Sequence, residues 1–343
     1  MLSMDIETPS PVFSEAGRYS DQVDHLLSLT YMQLVKIARF HVRFHFLFLT
    51  LIGLEVFLII LLMGTLFKSG LFALSLAGLF LTLFGYLTLR QYYLNKKPEQ
   101  FEVCMGQFLE GCKRSLQYKK ESVKDRIFIA NCCCKLAALF EGKEYRFYLP
   151  PKWLSSLSFA MEKLSCWWYW YDFHFIKEIC LEYAVSEHIA LVKGQPTGLD
   201  FHAALANIYV MQSALYTERP LDGLQMWRPG YVKSAYLKKR FKETAKRAIE
   251  EFKILNEYAP EDAWVHMQLA YSYRDLQMPK EEIHEYEILL RLRPEDPDIL
   301  YTLGSLYFKQ GETAKGLQIY EKLRAYSFYK AERLMEQYDA YRK

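Results

Sequence analysis

The chain has 343 residues, 51% of them hydrophobic and 16% aromatic, and its 43 Lys and Arg against 40 Asp and Glu leave a net charge of only +3. That balance is too weak to imply a nucleic-acid partner. Seven cysteines, an odd number without a C-x-x-C pair, speak against a zinc module and a disulfide framework, and the phosphate-loop, G-x-S-x-G, H-E-x-x-H and dinucleotide signatures are absent, so neither an enzymatic activity nor a cofactor is expected.

Residues 1–43 open with a Ser/Thr/Pro-containing stretch of the composition found in disordered leads. From about Asp21 the apolar positions Val23, Leu26, Leu27, Leu29, Met32, Leu34, Val35 and Ile37 follow a helical period, predicting an amphipathic segment that leads into the next region. No apolar h-region precedes residue 44, so the first long apolar segment is expected to serve as its own insertion signal.

From Phe44 to Leu89 the chain is apolar, broken at Phe67-Lys68-Ser69-Gly70. A bilayer core takes about 20 helical residues to cross, so this reads as a two-span transmembrane hairpin over 44–89. Gly70, Ala73, Ala77, Gly78 and Gly85 permit close helix approach in the second span. Lys36, Arg39, Arg43, Arg90, Lys96 and Lys97 flank the spans, whereas the hinge holds Lys68 alone, which predicts both termini on the cytoplasmic side. Glu55 lies within the first span and needs a partner at that depth; Thr82 or Ser75 of the second span can supply an intramembrane polar contact, and a contact between copies of the hairpin is the alternative. His41 and His45 share a helical face at the expected membrane boundary, where an interfacial role is expected rather than a metal site.

Beyond the hairpin the chain reads as helix. A domain of unspecified helical type is expected over 98–180, with helical spacing at Phe101, Cys104, Met105, Phe108, Leu109 and Cys112 and breaks expected at Lys97-Pro98 and Pro150-Pro151. Its thiols are expected to be reduced and packed. The run Cys166–Phe175 carries three tryptophans, two tyrosines and two phenylalanines; it is expected to form a buried seam between helical hairpins, the membrane surface being the alternative. A fragment beginning near Pro98 is expected to be soluble and helical.

Residues 181–343 contain an internal repeat. With 263–296 laid under 297–330, Leu269-Ala270 matches Leu303-Gly304, Tyr273 matches Tyr307, Tyr286 matches Tyr320 and Leu289 matches Leu323. This period and these residue types resemble tetratricopeptide repeats, in which a helix-turn-helix unit seats each helix against its partner and the next unit. Upstream, Ala248, Phe252, Leu255 and Pro260 fit the second helix of a further unit whose first helix would be 229–242, and a weaker echo lies at His202, Leu205, Ala206 and Tyr209, with 216–230 as an insertion.

The resemblance implies an all-α solenoid that presents its first helices to a protein or peptide. The family register places Lys233, Arg240, Trp264, Met267, Tyr271, Arg274, Tyr301 and Phe308 on that concave face. Leu237, Gln268 and Asp298 depart from the family's clamp for C-terminal carboxylates, which argues against that binding mode. Residues 1–90 also resemble the bilobed hairpin of inclusion membrane proteins of obligate intracellular bacteria, which would imply host partners. The expectation is thus an integral membrane scaffold with a transmembrane hairpin and cytoplasmic repeats, whose partners are a protein or peptide, the lipid bilayer and further copies joined through the hairpin.

Overall fold

The computed structural model describes residues 17–63, 71–147, 157–217 and 234–342, and every regular element among them is an α-helix. The hinge at Phe67–Gly70, Pro150-Pro151, Lys233 and most of the expected insertion lie outside the described residues. The helices form two compact units that divide between Ala184 and Val185.

The first unit is built on two long helices, α1 (Gly17–Leu61) and α2 (Leu71–Leu116). They run antiparallel, as the contacts Gln33–Cys104, His45–Tyr86 and Glu55–Thr82 require. Their outer halves, from Phe46 and Leu71 respectively, point apolar side chains such as Phe57, Ile60, Leu81 and Phe84 away from the protein. Both helices are long and apolar enough to cross a membrane. In their other halves the pattern reverses: Val23, Leu27, Leu34, Ala38 and Val42 make a buried stripe on α1, and Phe101, Cys104, Met105, Phe108 and Cys112 make another on α2. The segment before the apolar stretch is therefore part of a protein core. Pro98 does not end a helix as expected; α2 runs through it, and the flanking Lys97 is fastened to Asp172 at 2.5 Å.

Three further helices complete this core. Helix α3 (Val123–Leu139) starts at Ser122, whose hydroxyl accepts the Asp125 N–H, and α4 (Lys143–Arg146) is a single turn. Helix α5 (Ser158–Gly194) carries the aromatic run. Tyr169 and Phe173 stack, and Phe140 and Phe147 pack on Phe173 with centroids at 5.3 and 5.5 Å. Two buried ion pairs, Lys97–Asp172 and Lys177–Glu144, tie α5 to α2 and α4. The aromatic run is only half a seam, since Trp167 and Tyr171 remain exposed.

The second unit stacks helical hairpins: α6 (Leu199–Tyr216) with α7 (Ser234–Tyr258), α8 (Ala263–Asp275) with α9 (Pro279–Leu292), and α10 (Pro297–Lys309) with α11 (Thr313–Tyr326), followed by α12 (Phe328–Arg342). The 34-residue period is visible in the caps. Asp262 and Asp296 each accept a backbone N–H two residues on, and Gln277 and Gly311 each turn the chain with positive φ.

A side-chain tether fixes the register further upstream. His266 Nε2 donates to the Pro260 carbonyl and Nδ1 lies 2.6 Å from Glu285; His202 repeats both contacts with Pro196 and Glu251, at the same distances. Helix α6 is thus the first helix of its pair. The expectation of a first helix at 229–242 is corrected: from Ser234 those residues belong to the unbroken second helix α7, which turns buried apolar positions such as Leu237, Ala245, Ala248 and Phe252 inward. In the third hairpin Leu300 and Ile319, both buried, stand where the histidine and glutamate would be.

Candidate functional site

The first helices α6, α8 and α10 carry equivalent positions at a constant distance from Pro196, Pro260 and Pro294. Along α6 the exposed and half-exposed residues include Asp200, Ala203, Ala204, Asn207, Val210, Met211 and Ala214; along α8 they include Trp264, Met267, Gln268, Tyr271 and Arg274. Both sets recur every three or four residues, so each is one helical face, left free because the opposite face seats against the second helix of its own hairpin.

The expected site residues divide between this face and the core. Trp264 is 40% exposed, its ring edge-on to Phe252 at 5.9 Å and its backbone N–H held by Asp262. Tyr271 is half-buried, with the Arg274 guanidinium 5.3 Å above its ring. Met267 and Tyr301 are partly buried against the core of the last two hairpins.

Two placements, Phe308 and Arg240, are corrected. Phe308 is buried: its ring meets Tyr338 of α12 at 4.5 Å and fills the space beside Gly316, so α12 closes the first-helix face over α10. Arg274 keeps its place on the α8 face, its side chain 46% exposed, while donating to Glu282 Oε1 and to the Tyr286 hydroxyl of its own hairpin, each at 2.7 Å. Burial pushes the Tyr286 phenol up in spite of that guanidinium. Arg240 belongs to second helix α7, with its guanidinium 5.4 Å from the Tyr216 ring centroid. Lys330 of α12 pairs with Asp298 at 2.7 Å, a second fastening of the same cover.

Sequence reasoning missed Asn207 and Met211, because the register of α6 was hidden by the long stretch separating it from α7. The signal was the spacing of Pro196 to His202, which Pro260 and His266 repeat.

In the apolar pair, Thr82 donates to Glu55 Oε1 at 2.8 Å, so these two side chains meet between α1 and α2. His41 and His45 contact Gln100 and Tyr86 respectively. No group of three metal-ligating side chains exists among the described residues.

No family model and no curated protein matches the sequence. Among solved structures, the chain is similar to TTC0263, a thermophilic TPR protein of Thermus thermophilus, at 18% identity and a TM-score of 0.32, over 73% of this chain and 93% of that one. It is also similar to the TPR2AB-domain:pHSP90 complex of yeast Sti1, at 14% identity and a TM-score of 0.26, over 74% of this chain and 95% of that one. Likeness at this level assigns no residue a role, and the repeat assignment stands on the helix pairs themselves.

Proposed function

We propose that the protein is a membrane-anchored interaction scaffold, held by the α1–α2 hairpin and gripping a protein segment on the first-helix face of α6 and α8. The observation that carries this reading is the contrast between first helices: Ser305 and Phe308 of α10 are buried beneath α12, whereas the equivalent Tyr271 and Arg274 of α8 and Asn207 and Val210 of α6 stay exposed or half-exposed, flanked by exposed Trp264 and Met211. Half-exposed aromatic and methionine side chains on a rigid helix lose little entropy on binding and dominate interface energies. The outward apolar side chains of α1 and α2, with Arg43 and Arg90 at their inner ends, support the anchor and a topology with both termini on the cytoplasmic side.

The test is photocrosslinking of the full-length protein in its native membranes, comparing wild type with the combined Met211→Ala, Trp264→Ala and Tyr271→Ala variant. Loss of crosslinked partners with unchanged helicity is expected. A variant that keeps every partner would place the binding surface elsewhere. For topology, labelling of cysteines placed at residues 5 and 340 should occur from the same side, and labelling from opposite sides would overturn the hairpin.

A further inference from the structure

The beginning of α5 is apolar on both its faces. Cys166, Tyr169, Trp170 and Phe173 are buried in the first unit, yet Phe159, Leu164, Trp167 and Tyr171 on the other side are 48%, 37%, 54% and 43% exposed. A helix hydrophobic all round belongs inside a protein or against lipid. Here one side faces the protein and the other is exposed.

The level of this stripe relative to α1 and α2 follows from three contacts with α2 and two ring contacts with α1. Lys97 meets Asp172, Phe101 meets Phe175 with centroids 6.3 Å apart, and Met105 meets Cys180 at 3.7 Å, so α5 runs beside α2 in the same direction with a nearly constant residue offset. Going back along α5, the same offset brings Trp168 level with Tyr92 and Tyr93, where the apolar stretch ends. Trp168 agrees from the other helix, packing on His45 and Phe46 with centroids at 5.6 and 5.4 Å. The turns from Ser158 to Trp168 therefore climb about 15 Å farther, alongside the last turns of the apolar part of α2.

The side chains at that level form one collar. Exposed Phe46, Tyr92 and Trp167 are of the types that favour the boundary between headgroups and acyl chains. Lys163 extends over the Phe159 ring at 3.9 Å, an apolar stem with a cationic end suited to phosphate groups.

Resting on the membrane-anchor reading, we propose that residues 158–171 form an interfacial helix, with Leu164, Trp167 and Tyr171 seated in the lipid headgroup and upper acyl region beside the hairpin. The bilayer surface is thus a third contact of the protein, separate from the two spans, and it fixes how the first unit stands on the membrane.

The test uses the full-length protein in vesicles of phosphatidylcholine and phosphatidylglycerol, with nitroxide labels at Trp167→Cys, at Tyr171→Cys as a second site on the stripe, at Val56→Cys in the first span and at Glu336→Cys on α12. Collision rates are measured with oxygen, which concentrates in lipid, and with a water-soluble nickel chelate. Background labelling of the native thiols is subtracted from the wild-type protein. The stripe labels should collide several-fold more often with oxygen relative to nickel than the Glu336 label does. Nickel access at 167 and 171 equal to that at 336, or shielding from both reagents, would overturn the interfacial helix while Val56 still reports lipid. Nickel access at Val56 would instead show that the anchor reading itself has failed.

Discussion

Replacing His266 by leucine should damage the second unit far more than replacing His266 and Glu285 together. The two side chains are 2% and 9% exposed, and the imidazole also supplies the N–H that satisfies the Pro260 carbonyl. His266→Leu strands a carboxylate in the core, and breaking a buried pair from one side costs about 3–5 kcal/mol. The double variant His266→Leu, Glu285→Ile copies the pair that the next hairpin already uses, Leu300 and Ile319, so it removes the stranded charge along with its partner. Such apolar replacements are commonly neutral or stabilising, leaving only the Pro260 carbonyl bond, about 1 kcal/mol, to be made up. Hydrogen exchange of the full-length protein in detergent reads the difference locally. Amides of α8 and α9 should exchange roughly 100-fold faster or more in the single variant, at about 1.4 kcal/mol for each factor of ten, and return to within tenfold of wild type in the double. A single variant as protected as wild type, or a double variant as damaged as the single, would refute the account of the tether.

In the first unit, Lys97→Met should destabilise by about 3 kcal/mol because burial already disfavours the Asp172 carboxylate, and adding Asp172→Asn should recover most of the loss in thermal melts followed by circular dichroism. Gln277→Gly should stabilise by about 1 kcal/mol, since Gln277 holds φ at +58° where the equivalent Gly311 holds +77°; urea unfolding that shows no gain would contradict the strain. The thiols should resist alkylation at pH 8 in the native protein, with Cys132 pushed up by its hydrogen bond with Cys112 and by burial, Cys180 pushed up by burial, and Cys134 pushed up to about 11 by burial; several fast-reacting thiols counted by mass spectrometry would mean the first unit is not packed as described. A fragment starting at Pro98 should be soluble only poorly and melt earlier than one retaining residues 17–43, because it discards the buried stripe of Val23, Leu34, Ala38 and Val42.

The helical class and the last two hairpins were legible in the sequence because their signals are local: a capping aspartate at 262 and 296, a turn at 277 and 311, and apolar residues at fixed steps between them. Helix α6 was obscured by a pairing that depends on Glu251, far along the chain from His202, so no short window contains both. The closure over Phe308 depends likewise on Tyr338, beyond the repeat that defines the period. The expected break at Pro98 failed for a related reason. Proline's local penalty was overridden by packing on both sides of it, at Lys97 and Phe101, which no propensity scale registers.

Because α1 and α2 pass from their outward apolar halves into the core of the first unit without leaving the helix, that unit is not hung from the hairpin by a leash. A flexible linker would let its cargo sweep a wide volume, with distance growing as the root of linker length. Paired helices that curve only gently act as a post. With α1 and α2 spanning the bilayer as proposed, force applied to the first unit would reach the lipid as a tilt of the two helices, which would make this half of the molecule a lever rather than a tether.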